Sequence, residues 1–187
     1  MWRVVEAYRG LSRSRPLSTA FVVTFAKGSA SDMIAQTSFD GRRFDFQRNL
    51  SFAFFSGAYL GIGQHYIYNV VFTRVLGSGR DLGTATRKVA ADAFVHVPFV
   101  YLMLYYPFEH FATGQGSPFQ GLLKYKEEAP RVLTTYWMTW PPAHLISFTV
   151  LPTELRISFI AGLSFLWLIY LSYASHDRPP PKRDEAS

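Results

Sequence analysis

From Asn49 to Thr73 the chain carries no Asp, Glu, Lys or Arg. The same holds from Val132 to Thr153 and again from Ile157 to His176. A transmembrane helix needs about 20 predominantly apolar residues, so each run is long enough to cross a bilayer. The run from Ala93 to Phe108 is shorter, but it holds Phe94, Val95, Phe99, Val100, Leu102 and Leu104, and this span is read as beginning near Lys88. Leu17 to Gln36 is interrupted by Lys27 and Asp32, and by hydropathy alone it also fits an amphipathic helix on the membrane surface. Charged residues make up only 17% of the chain, against about 25% in soluble domains, which leaves too little polar surface for a soluble helical globule.

The expectation is an all-α integral membrane protein, a bundle of four or five transmembrane helices with one proline-broken segment. Its spans lie near 17–36, 49–73, 88–108, 131–151 and 154–174, in a single domain over 1–176 followed by a flexible charged tail at 177–187. The break is placed in 131–151 because Pro141 and Pro142 fall in mid-run, and proline removes a backbone donor and clashes with the preceding turn. Two half-helices would result, with freed carbonyls needing protein or water partners. Gly114 to Ser117 reads as a turn into a helix starting at Pro118, and Gln120 to Glu128 as interfacial, with Leu122 and Leu123 toward the bilayer. Arg3, Arg9, Arg13 and Arg15 with one acid, Glu6, give the N-terminal arm a mitochondrial import character. It is read as a basic helix kept beside the membrane in preference to a removed presequence. Lys and Arg in this arm and in Arg74 to Lys88 slightly outnumber those in the other two loops, which favours an N-terminus on the matrix side.

Polar side chains recur inside the apolar runs. Gly57, Gly61, His65 and Asn69 fall at four-residue steps, as do Thr84, Lys88, Asp92 and His96, while the first span offers Lys27, Asp32 and Gln36. Ionisable groups within a membrane turn toward partners or a water-filled cavity. Lys27, Asp32, Gln36, His65, Asn69, Lys88, Asp92 and His96 are therefore the candidate pore or polar-interior residues. Lys88 is expected to pair with Asp92, and Asp92 to polarise His96. Five scattered histidines, no phosphate-cradling glycine loop and no activated nucleophile give no enzymatic constellation. With no cysteine, disulfides and thiolate metal sites are excluded. No catalytic residue, metal or cofactor is expected. The arginines flank membrane segments, so the basic charge fits anionic lipid such as cardiolipin, or anionic solutes, and not nucleic acid.

The C-terminal third carries Trp137-x-x-Trp140-Pro141, Phe148, Pro152 and Arg156, then Trp167-x-x-Tyr170-Leu171-Ser172. That pattern resembles the signature of the Mpv-seventeen and twenty-two-kilodalton peroxisomal membrane protein family. Upstream, Pro16-Leu17-x-Thr19, Lys27-Gly28, Asp32 with Gln36, Asp45-x-x-Arg48, Gly57, His65 with Tyr68, and Lys88 with Asp92 look like its other landmarks. The chain departs from the family where His144 replaces a common Gln, Ser147 an Asn, Ala93 a Gln and Leu168 an Asn. If those amides line a pore, their loss favours a structural role. The resemblance implies a small helical protein of the mitochondrial inner membrane or the peroxisomal membrane, linked to channel-like solute passage and mitochondrial homeostasis.

The leading functional expectation is a non-enzymatic protein for channel-like passage of small solutes or ions across the mitochondrial inner membrane. The alternative is an accessory subunit of a larger inner-membrane complex. Arg156 is expected to be partly buried, its guanidinium bound to proline-freed carbonyls or to Asp32 or Asp92, with snorkelling to lipid phosphate as the alternative.

Overall fold

The computed structural model describes residues 2–39 and 43–176, with side chains described over 6–37 and 43–167. The expected tail at 177–187 and the side chain of Tyr170 lie outside the described residues. Among the described residues the chain is helical, with no strand. Helix α1 is Trp2–Ser14, and α2 joins Pro16–Ile34 to the π-helical turn Ala35–Phe39. Helix α3 runs from Phe46–Phe55 through wide π-helical turns, Ser56–Gly63 and Ile67–Val71, to Phe72–Leu76. Helix α4 is Leu82–Ala112, α5 Pro118–Thr149 and α6 Thr153–His176.

The caps explain where these helices begin. Asp45 and Asp81 each accept a backbone N–H three residues on, from Arg48 (3.0 Å) and Thr84 (2.9 Å), at the starts of α3 and α4. Ser117 and Gln120 form a reciprocal capping box ahead of Pro118. Gly77, at φ 104°, ends α3 in a conformation only glycine adopts freely.

Helices α2 to α6 close into a ring in the order α3, α2, α6, α5, α4, with α4 returning to α3 through Phe55 and Phe108, stacked at 4.4 Å. One end is filled by Ala20, Tyr68, Phe72, Ala85, Phe148 and Ile157, and α1 lies over it through Arg13 Nε to Glu154 Oε1 (2.8 Å) and a Tyr8–Ser158 hydroxyl contact. The ring is inverted relative to a soluble protein. Lys88, Asp92 and His96 are 1–3% exposed, whereas Phe94 is 57%, Phe99 67% and Met138 79% exposed.

Glycine sets the α2–α3 spacing. A Cβ on Gly61 would sit 2.5 Å from Thr24 Oγ1 and 2.8 Å from the Ala20 carbonyl, and one on Gly57 would strike the Phe21 ring. Gly61→Ala therefore has to push the helices apart. It is expected to destabilise by about 1–3 kcal/mol, the usual range for overpacking, read as a lower unfolding midpoint in detergent. Gly162→Ala, where an added Cβ meets nothing within 4 Å, should leave that midpoint unmoved.

Two expectations need correction. The proline-broken segment at 131–151 is part of one continuous helix, although Pro130, Pro141 and Pro142 lie inside α5. Cross-ties on both sides of the proline pair hold its line: Tyr136 bonds Asp92, Trp137 Nε1 donates to the Ala93 carbonyl (2.9 Å), and Phe148 packs into the closed end. Neighbouring helices thereby offset the donors that proline removes. The stretch 120–128 is the first part of that same helix, and Leu122 packs on the Val97, Leu102, Tyr106 and Tyr125 cluster while Leu123 is exposed. Among the described residues one helix, Leu82–Ala112, is long and apolar enough to cross a membrane by length and composition.

Candidate functional site

Asp92 opens the π-helical middle of α4, Asp92–Tyr101, and is the hub of the interior. Its Oδ1 accepts from Tyr68 Oη (2.8 Å) and His96 Nδ1 (2.7 Å). Its Oδ2 accepts from Tyr136 Oη, and His144 Nε2 lies 3.6 Å away. Three donors from α3, α4 and α5 supply the hydrogen bonds that a buried carboxylate requires. With His96 Nδ1 donating, its Nε2 is left to accept from Tyr59 Oη (3.0 Å), and Gln64 Nε2 donates to Tyr68 Oη (3.1 Å).

Two cavities run beside this hub. The inner one, ≈ 150 Å³, lies between α2 and α6, with Lys27, Gln64, Tyr136, Trp140 and His144 in its wall. The outer one, ≈ 380 Å³, reaches the end where α2 meets α3 and α4 nears α5, bounded there by Asp32, Arg48, Glu109, Thr113 and Trp167. Lys27, Leu60, Tyr101 and Ser164 line both, so the two cavities adjoin and share this wall. Among the described residues Lys27 has no carboxylate within ion-pairing distance, and it stands at the junction. Behind Gln64 and His144 in the wall of the inner cavity, Tyr68 and Phe148 meet edge to face at 5.4 Å, with Phe72 beside them.

The eight expected interior residues therefore do not converge on one cavity. Asp92 and His96 form the hub and Lys27 the junction. Asp32 and Gln36 belong to a cluster at the outer end, where Asp32 accepts from Arg48 Nε (3.0 Å), Gln36 Nε2 (2.6 Å) and Asn49 Nδ2 (3.3 Å). His65 and Asn69 bond each other (3.2 Å) away from the cavities. Lys88 does not pair with Asp92. Helical side chains lean toward the helix N-terminus, and Lys88 Nζ is carried to the closed end, 5.9 Å from the Phe148 ring centroid. Arg156 is buried as expected, but its partner is Asn69 Oδ1 (3.2 Å) in place of a proline-freed carbonyl or of Asp32 or Asp92.

Sequence reasoning missed Tyr59, Gln64 and Tyr136, although spacing marked two of them. Tyr136, Trp140, His144 and Phe148 fall at four-residue steps and contact one another in series at 6.4, 6.3 and 6.2 Å. On α3 the interior face carries Leu60, Gln64, Tyr68 and Phe72, one residue off the expected stripe. The π-helical turns are wider than those of a regular α-helix and rotate that face along the helix. Of the motif residues, Trp140 lines the inner cavity, Trp137 ties α5 to α4, Trp167 borders the outer cavity, and Pro152 accepts from Leu155 N (3.0 Å) at the start of α6. Pro141 lies one residue beyond Trp140 within α5.

The described helices form an all-helical bundle with a polar hub inside and large apolar side chains such as Phe94, Phe99 and Met138 exposed outside, and one of its helices is long and apolar enough to cross a membrane. The sequence profile of the Mpv17 / PMP22 family matches residues 115–172. Protein SYM1 of Debaryomyces hansenii is 26% identical over 183 residues, covering 92% of this chain and 88% of that one. PXMP2/4 family protein 3 of Dictyostelium discoideum is 26% identical over 169 residues, covering 90% and 89%. Mitochondrial inner membrane protein Mpv17 of Caenorhabditis briggsae is 25% identical over 171 residues, covering 91% and 92%. The chain is thus similar to the Mpv17 / PMP22 family model over its C-terminal third and to these relatives along most of its length. No solved structure matches it.

Proposed function

We propose that the chain is a non-enzymatic membrane protein that passes small solutes or ions across the mitochondrial inner membrane, with α2 to α6 spanning the bilayer. Two adjoining cavities support this reading: they lie inside a bundle that exposes large apolar side chains, and the packed rings of Tyr68 and Phe148 behind His144 are where a passage continued through the bundle is closed. Lys27 is its selectivity element, an ammonium facing both cavities with no carboxylate to neutralise it. The compartment expected from the N-terminal arginines is the one printed in the name of the C. briggsae relative, and the peroxisomal membrane is the alternative.

Purified protein in liposomes should conduct ions or release small charged solutes. Lys27→Glu reverses the charge at the junction and should shift the anion-to-cation permeability ratio toward cations by several-fold, read as a reversal potential in a salt gradient. Absence of flux at any pH or voltage would remove the reading. The exposed aromatic face of α4 also fits an accessory subunit buried in a larger complex. Migration as a free small species on native gels of mitochondria in mild detergent would count against that second reading.

A further inference from the structure

The proposed passage leaves two buried cations unused. Lys88 is 1% and Arg156 2% exposed, and both rest on one ring: Lys88 Nζ is 5.9 Å and Arg156 Cζ 5.4 Å from the Phe148 centroid. Among the described residues neither has a carboxylate within ion-pairing distance. Arg156 Nη1 donates to Asn69 Oδ1 at 3.2 Å, while its Nε is buried and meets no acceptor.

The nearest acids are committed elsewhere. Asp81 holds the Thr84 N–H at 2.9 Å as the cap of α4, and Glu154 is bound by Arg13 at 2.8 Å. Lys88 and Arg156 repel each other, and Arg80, exposed in the loop before α4, adds a third positive charge acting on Arg156, against the weaker attraction of Asp81 for Lys88 and of Glu154 for Arg156. Arg156 lies in the first turn of α6 and Lys88 in the second turn of α4, so two helix N-termini add partial positive charge at the same end of the bundle. Unpartnered buried ions are unfavourable, and a cation–π contact offsets only part of that cost. An anion between them would offset the rest.

We propose that Lys88, Arg156 and Arg80 form a seat for a phosphate group at the closed end of the bundle. A guanidinium fork grips two phosphate oxygens, and a third can reach the ammonium, which a planar carboxylate does less well. The phosphate can belong to an anionic lipid headgroup or to a free anion from the adjoining aqueous phase. The seat depends on the membrane-embedded bundle but not on solute passage.

The test uses the full chain in phosphatidylcholine nanodiscs. One arm titrates inorganic phosphate against chloride of equal ionic strength, and the other raises the fraction of cardiolipin in the disc. The readout is the thermal unfolding midpoint, which a ligand of the folded state raises saturably. A rise with phosphate assigns a free anion, and a rise confined to cardiolipin assigns a headgroup. Lys88→Gln should raise the half-saturating concentration tenfold or more and Arg80→Gln several-fold. Arg156→Lys, which keeps the charge and loses the fork, should fall between wild type and Lys88→Gln. No rise in either arm overturns the seat, as does a rise that neither Lys88→Gln nor Arg80→Gln weakens. Arg80 is an exposed loop residue, so its variant reports even if Lys88→Gln does not fold. A phosphate or lipid response without flux would sink the passage alone, and flux without that response would sink the seat alone.

Discussion

Asp92→Leu is expected to lower the stability of the purified protein by about 3 kcal/mol, because an orphaned buried donor costs about 1–3 kcal/mol and this change orphans several. The side chain accepts from Tyr68, His96 and Tyr136 on three different helices. Leucine fills similar space but leaves two hydroxyls and a ring N–H facing apolar surroundings. Hydrogen bonds between membrane helices contribute about 0.6–1.7 kcal/mol each. Relief of the buried carboxylate's own desolvation cost opposes these losses without cancelling them, because removing one partner of a buried network leaves the others unpaired. Asp92→Asn keeps one acceptor oxygen but turns an NH2 toward donors, so it should lie between wild type and Asp92→Leu. Denaturant unfolding in mixed micelles measures the order. Equal stability of Asp92→Leu and wild type would show that the hub is not what joins α3, α4 and α5.

How much of this was legible depended on which residues carried the signal. The charge-free runs gave the helices because apolar length is a local property, readable without knowing any partner. Asp92 and His96 were legible as a pair because both lie on α4, four residues apart, within one turn's reach. Their other partners were not, since Tyr68 and Tyr136 are 24 and 44 residues from Asp92 in sequence and no local spacing links residues so far apart. The stripe on α3 was placed one residue off because Gly57, Gly61, His65 and Asn69 share a four-residue step with Leu60, Gln64, Tyr68 and Phe72, and spacing alone does not say which of two adjacent faces meets the interior. The break at Pro141 and Pro142 was a sound local inference, overridden by ties from Tyr136 and Trp137 to α4 that no proline rule contains. Arg156 was read correctly as buried, and its partner was missed because Asn69 lies 87 residues away on α3.

Phe148→Ala should have the largest combined effect on stability and flux. Phe148 is fully buried, touches Tyr68, Phe72 and His144, and supports Lys88 and Arg156 on its ring. Truncating such a core phenylalanine to alanine costs about 3–5 kcal/mol. The space it vacates lies behind His144 in the wall of the inner cavity, so the fraction that folds should leak at rest. Phe148→Leu keeps most of the volume, should cost less than about 1.5 kcal/mol, and should stay closed. Basal release of a small anion from liposomes, normalised to folded protein, separates the two variants. If folded Phe148→Ala releases no more than wild type, the ring is a packing element only, and the closure of the passage must be sought at the Lys27 junction, which Leu60 and Tyr101 also line.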